Sequence, residues 1–222
     1  MLQTLAALIG LLGLIVLVTP ALAQSNIDST NKHAWGENVG WTNWRDADSG
    51  SNGVEVTATY LSGFVWGENV SWINVGNGPP ADGVHYANTS GLDFGVNIDT
   101  NNDTFGLAWG ENIGWVNFDT ASLGDDRARF DACEHRFFGY AWGENVGWIN
   151  LDEEETAKFV AVGPCAFGDY DCDGDVDSDD YAAFESFLLG PVSPMDCPTF
   201  DANDDGDIDL FDFAAFQVAF TG

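Results

Sequence analysis

Two short carboxylate runs near the C-terminus carry the plainest chemistry in this sequence. In the first, Asp169, Asp171 and Asp173 alternate, Gly174 follows, and Asp175, Asp177 and Asp180 complete the run. In the second, Asp201, Asn203 and Asp205 precede Gly206, and Asp207, Asp209 and Asp212 follow 32 residues after their counterparts. A hard dication needs about six to eight oxygens, so a short loop must offer them at alternate positions and turn sharply at a glycine. The expectation is two calcium ions, one per loop. Positions 1, 3 and 5 ligate by side chain. Asp175 and Asp207 offer backbone carbonyls, Asp177 and Asp209 act through water, and Asp180 and Asp212 close the sites. Val176 and Ile208 take the apolar position 8, suited to a short pairing of loop with loop. A merely solvated acidic run would not place glycine and apolar residue identically twice.

Something must hold each loop. Tyr181, Phe184, Phe187 and Leu188, and likewise Phe213, Phe216 and Phe220, recur three and four apart. That spacing predicts a helix with one apolar face after each loop. Carboxylates this dense repel until a cation neutralises them, so the segment should be loose without calcium and compact with it.

A loop plus one following helix, given twice across residues 165–222, resembles a type I dockerin. The resemblance implies a small paired EF-hand-like helical module that docks onto a cohesin-like protein. It also implies a place on exported proteins, often ones that degrade polysaccharides. Two features depart from the family pattern. Loop positions 10 and 11, often alike in the two copies, are Ser178-Asp179 and Leu210-Phe211, and Cys172 lies inside the first loop. Attachment to a surface or matrix component through a stand-alone calcium clip is the other reading of this module.

Catalytic patterns are missing from the sequence. The three histidines are His33, His85 and His135, and no zinc helix, nucleophile elbow or phosphate-binding glycine loop surrounds them. Carboxylate pairs serve glycosidases, but acids are too numerous here to discriminate. The expectation is a protein that is not an enzyme.

Upstream lies a second repeat. AWGENVGWTNW from Ala34, VWGENVSWINV from Val65, AWGENIGWVNF from Ala108 and AWGENVGWINL from Ala141 share one pattern. Apolar and aromatic residues flank a polar, glycine-containing turn, which reads as a β-hairpin. The last turn residue, Gly40, Gly114 or Gly147, should adopt a left-handed backbone, with Ser71 in that place in the second unit. Alternating stretches Val54–Tyr60, Val96–Asp99 and Ala128–Ala132 precede three of the hairpins. Each repeat is therefore a three-stranded antiparallel meander. The first lacks its leading strand, and Lys158–Val162 is a spare one after the fourth. Pairing of that spare strand with the first hairpin would close the array and remove exposed edges. The fold class is mainly β, as a small propeller, a barrel-like closed sheet or a sandwich, with the small helical module behind it.

The repeated tryptophans have two readings. All eight form a shared core between units, or Trp35, Trp66, Trp109 and Trp142 are aromatic platforms for a glycan. Glu37, Glu68, Glu111 and Glu144 and the motif asparagines either satisfy the turns or form four equivalent ligand or calcium sites. The motif resembles a G-x-A-W-x-E-N-[IV]-G-W-I-N-[FL] repeat of uncharacterised exported bacterial proteins, which implies export and repeat architecture.

The remaining signals concern compartment. Leu5 to Val18 is almost wholly apolar, and Ala21-Leu22-Ala23 forms a cleavage signal. Residues 1–23 read as a signal peptide, so the mature chain is secreted or on the cell surface and free of the membrane. The alternative is an uncleaved single-span anchor. The domains expected are 24–162 for the β repeats and 163–222 for the calcium module. In an oxidising compartment Cys133, Cys165, Cys172 and Cys197 should form two disulfides. Three pairings are open; Cys172 with Cys197 and Cys133 with Cys165 is the preferred one, with zinc as the competing use. Of 222 residues, six are Lys or Arg and 36 Asp or Glu, for a net charge of −30. Nucleic acid needs a basic face and is excluded as a partner.

Overall fold

The computed structural model describes residues 25–50, 52–153, 156, 158–188 and 197–222. The expected signal peptide lies outside the described residues. The chain opens with the hairpin β1 (Ile27–Gly36) and β2 (Gly40–Asn43). β3 (Glu55–Val56) leads β4 (Leu61–Gly67) and β5 (Ser71–Gly76). β6 (Val96–Ile98) leads β7 (Thr104–Gly110) and β8 (Gly114–Asn117). β9 (Arg129–Asp131) and β10 (Arg136–Phe138) lead β11 (Tyr140–Gly143) and β12 (Gly147–Asn150). β13 (Asp152–Glu153), β14 (Lys158–Val162), α1 (Ser178–Phe187) and α2 (Leu210–Ala219) complete the chain.

Every hairpin sets its two tryptophans opposite each other: Trp35 and Trp41, Trp66 and Trp72, Trp109 and Trp115, Trp142 and Trp148. Neighbouring hairpins pair antiparallel, and β12 returns to β1 through Trp35–Asn150 and Gly36–Ile149. The eight hairpin strands thus form a closed antiparallel barrel. Of the three architectures open to the repeats, the barrel forms. The spare strand β14 lies beside β1, with Ile27 opposite Val162 and Lys32 opposite Val160. It takes the leading-strand place that β3 and β6 occupy beside β4 and β7.

The barrel is packed with small and β-branched side chains. Ala34, Val65, Ala108 and Ala141 alternate with Thr42, Ile73, Val116 and Ile149 across the hairpins, all buried. The tryptophans have the opposite parity and stand on the outer wall, with Trp41, Trp66, Trp72, Trp109, Trp142 and Trp148 about two-fifths exposed. The reading of eight tryptophans as a shared core is therefore corrected. An eight-stranded barrel is only just wide enough for side chains to fill, and indoles are too large for it. The ninth, Trp44, lies beyond the hairpin and is buried against Phe118 and Phe137.

Each residue of the turn motif has a job. Val39, Val70, Ile113 and Val146 fold back from the turns and are buried. A Cβ on Gly36, Gly67, Gly110 or Gly143 would lie 2.4–2.6 Å from those side chains. Gly40, Gly114 and Gly147 have φ of +72°, +78° and +80°, and Ser71 has +69° in the same place. The turn asparagines form a closed ring between hairpins. Asn69 Nδ2 donates to Val39 O (3.2 Å), Asn112 to Val70 O (3.3 Å), Asn145 to Ile113 O (3.0 Å) and Asn38 to Val146 O (3.0 Å). The second motif asparagines turn the chain at each strand end, for example Asn74 Oδ1 accepting from Gly76 N at 2.9 Å.

The disulfides correct the preferred pairing. Cys133 bonds Cys197 and Cys165 bonds Cys172, with Cα separations of 4.7 and 5.3 Å. The first acidic loop curls back on the stretch that precedes it, so Cys172 meets Cys165. The start of the second copy packs on the β9–β10 turn, so Cys197 meets Cys133. Thr199 Oγ1 also donates to Cys133 O at 3.0 Å, and His135 Nε2 donates to Tyr170 O at 3.2 Å. A second core of Val176, Phe184, Cys197, Phe200, Ile208 and Phe216 lies between the helices.

Candidate metal centre and tryptophan wall

The two acidic loops share one hydrogen-bonded framework. Asp169 Oδ2 accepts from Gly174 N at 3.3 Å, and Asp201 Oδ2 from Gly206 N at 2.9 Å. Asp180 Oδ1 accepts from Tyr170 N at 2.6 Å, and Asp212 Oδ1 from Ala202 N at 2.8 Å. The same two aspartates complete capping boxes at the helix starts with Asp177 and Asp209. Each helix N-terminus thus holds the closing carboxylate in place, where the unpaired amides also favour negative charge. Gly174 and Gly206, at φ of +103° and +83°, make the expected bends.

This framework crowds carboxylate oxygens. Those of Asp169, Asp171 and Asp180 lie within 4.8 Å of one another, as do those of Asp175, Asp177 and Asp180, and of Asp207, Asp209 and Asp212. Asp173, Asp201, Asn203 and Asp205 stand outside these triplets. Asp173 Oδ1 accepts from Asp175 N, Asp201 from the amides of its own loop, and Asn203 Nδ2 donates to Asp205 Oδ2. Asp175 and Asp207, expected to act by carbonyl, bring their carboxylates as well.

The donor set fits a hard dication. Asp171 Oδ1 and Asp207 Oδ1 are shielded from solvent and have no hydrogen-bond partner. Burial, with the charges of Asp173 and Asp180 beside it, pushes Asp171 up to about 6. Burial and Asp180 push Asp169 up as well. Unpartnered carboxylate oxygens facing one another are costly unless a cation joins them.

Around the loops, Phe184 packs against Phe200 and Phe216 at 5.1 and 5.0 Å between ring centroids. Val176 and Ile208 meet in that core as side chains. Their backbones do not pair as expected: Val176 O accepts from Thr221 N at 2.9 Å, which ties loop one to the chain's end. The family model described as the dockerin type I domain matches residues 167–218.

The C-terminal segment is a type I dockerin module. Dockerins bind calcium and cohesin partners and are not themselves catalytic, and a chain that carries one is a component of a cohesin–dockerin assembly, typically extracellular or at the cell surface. No curated protein and no solved structure matches the chain. Among the described residues, no helix is long and apolar enough to cross a membrane.

The barrel offers a different surface. Trp35, Trp66, Trp109 and Trp142 all stand on its outer wall, together with the second tryptophan of each hairpin. Glu37, Glu68, Glu111 and Glu144 are exposed at the turns, and among the described residues they form no metal-ligating cluster. The sequence reading singled out only the first tryptophan of each unit. Cross-strand pairing, as the i and i+6 spacing implies, makes the second its equal.

Proposed function

We propose that this chain is a secreted, non-catalytic component of a cohesin–dockerin assembly, organised as a signal peptide (1–23), a β-repeat barrel (24–162) and a dockerin module (163–222). The barrel is the presented binding module, and the dockerin, loaded with two calcium ions, is the attachment. The observation that carries this reading is the pair of matching acidic loops, each with a buried carboxylate oxygen that lacks a partner. Asp169, Asp171, Asp173, Asp175, Asp177 and Asp180 serve one ion, and Asp201, Asn203, Asp205, Asp207, Asp209 and Asp212 the other. Leu210 and Phe211, at positions 10 and 11 of the second loop, are strongly exposed and give the cohesin partner an apolar contact.

Calorimetric titration with calcium tests the attachment reading. Two ions bind the wild-type chain and one binds the Asp212→Ala variant. In chelator, residues 165–222 lose helix signal and protease resistance, and immobilised cohesin modules no longer capture the chain. Unchanged protection in chelator, or no calcium uptake at either loop, refutes it.

A second reading is that the barrel is a carbohydrate-binding component of the assembly. The outward parity of the eight repeated tryptophans favours it, because indole faces exposed on a rigid wall suit stacking of flat apolar ligand surfaces.

A further inference from the structure

We propose that the cleft between Trp41 and Trp66 binds a pyranose unit of a neutral polysaccharide. This rests on the carbohydrate-binding reading and gives it a place and a ligand class. The barrel has four equivalent junctions between hairpins, and in each the first tryptophan of one hairpin faces an asparagine of the hairpin before it: Trp66 with Asn43, Trp109 with Asn74, Trp142 with Asn117 and Trp35 with Asn150. The junction of the first and second hairpins differs from the pattern. It holds a cleft of about 360 Å³ lined by His33, Trp41, Asn43, Trp66, Glu68 and Lys158. That volume lies within the range of small-ligand sites, roughly 300–1,000 Å³.

The difference has a cause in the sequence. In the other hairpins the second tryptophan meets two rings edge-on. Trp72 packs against Trp66 and Phe64 (5.0 and 5.9 Å), Trp115 against Trp109 and Phe94 (4.7 and 5.1 Å), and Trp148 against Trp142 and Tyr140 (4.6 and 6.3 Å). In the first hairpin the residue two before Trp35 is His33, which meets Trp41 edge-on at 6.4 Å, as Tyr140 meets Trp148, and puts an imidazole where the others have an apolar or phenolic side chain. Among the described residues, no ring contact joins Trp35 to Trp41. Trp41 (40% exposed) and Trp66 (37%) present indole surface on the same outer face, much as Trp72 and Trp148 do, and the first junction is set apart by the polar groups beside them. The spare strand β14 adds Lys158 at this junction because, of the four hairpins, it is the first that β14 pairs with.

The polar groups select the ligand. Glu68 only accepts hydrogen bonds, Lys158 only donates, and a neutral imidazole does both. His33 is held below its usual range by burial and the charges of Lys32 and Lys158, and its Nδ1 is shielded without a partner. An ionic ligand of either sign would meet a like charge in the cleft. A net charge of −30 further repels polyanions. Hydroxyl groups are satisfied by both charges. A pyranose combines hydroxyls at its edge with a flat face of C–H bonds, and that face meets the negative face of an indole.

Calorimetry on the full chain in calcium, with cellohexaose, xylohexaose and mannohexaose as probes and oligogalacturonate and choline as charged comparisons, tests this. At least one neutral hexasaccharide binds. Trp41→Ala and Trp66→Ala weaken it about tenfold, Glu68→Gln about threefold, and Trp115→Ala less than about twofold. Should Trp41→Ala fail to fold, Trp41→Phe and Glu68→Gln, the latter altering only an exposed side chain, decide the matter. Binding of no neutral probe, binding of only a charged one, or equal loss in Trp115→Ala overturns the proposal. Calcium uptake and cohesin capture on the same samples report the attachment reading separately, so failure of the cleft leaves that reading standing.

Discussion

Cys133 and Cys197 are 64 residues apart, and their bond ties the dockerin module to the β9–β10 turn of the barrel. Cys165 and Cys172, nested inside that span, are seven apart. Closing a loop removes entropy from the unfolded chain with the logarithm of its length, so the longer bridge stabilises by about 4 kcal/mol and the shorter by about 2 kcal/mol. The variants Cys133→Ser with Cys197→Ser and Cys165→Ser with Cys172→Ser measure both, by urea denaturation in calcium. Two spectroscopic probes then separate the parts. All nine tryptophans lie at or before Trp148, so fluorescence follows the barrel. Among the described residues both α-helices lie after Val162, so the helical circular-dichroism signal follows the module. In the wild type the two transitions coincide. Without Cys133–Cys197 they part, and the helical signal is lost at lower urea. Equal or greater destabilisation by loss of the short bridge, or transitions that stay together without the long one, would refute the reasoning.

Two further outcomes follow from the barrel. Asn38→Ala opens the asparagine ring where the barrel closes and leaves Val146 O without its donor, a loss of about 1–2 kcal/mol. The melting temperature in calcium drops by about 4 °C, whereas Glu37→Ala, altering an exposed neighbour, changes it by less than about 1 °C; equal effects of the two would sink the ring's role. The second concerns pH. Folded His33 resists a proton that the unfolded chain accepts, because burial and two lysines lower its pKa. Its contribution is fully present above the unfolded value of about 6.5 and is lost as pH falls below it, until the folded imidazole also charges. Melting curves between about pH 7.5 and pH 5 should show that loss, and His33→Phe should flatten it; an unaltered slope would refute the assignment.

Much of this was legible in the sequence. The four undecapeptides announced hairpins, and the left-handed residue at Gly40, Ser71, Gly114 and Gly147 lies where turn chemistry put it. The spare strand Lys158–Val162 lies beside the first hairpin as the missing leading strand required, but it does not close the array as expected: β12 does, by pairing with β1. The glycine bends and closing aspartates of the acidic loops were equally plain, because a cation site built from consecutive residues is local. What was not legible was three-dimensional. Alternation fixes which residues share a face but not which face turns inward. Tryptophan's size argued for a core, and only the narrow bore of a closed barrel sends Ala34 and Thr42 inside and Trp35 and Trp41 outside. The disulfide pairing failed for a related reason. Distance along the chain says nothing of Cys197 reaching the β9–β10 turn.

By itself the sequence determined the repeating units: four hairpins, two acidic loops with their helices, and the residue types that each turn demands. Those are set by backbone conformation and by contacts a few residues apart, which the order of amino acids specifies directly. Tertiary structure alone decided the rest. The barrel closed through Trp35 and Asn150, the asparagine ring joined Asn38 to Val146, and the cysteines found their partners. It also left one junction unlike the other three, where Trp41, Trp66, His33 and Lys158 come together. Those juxtapositions depend on how far strands curve and which ends meet, and no local pattern encodes that.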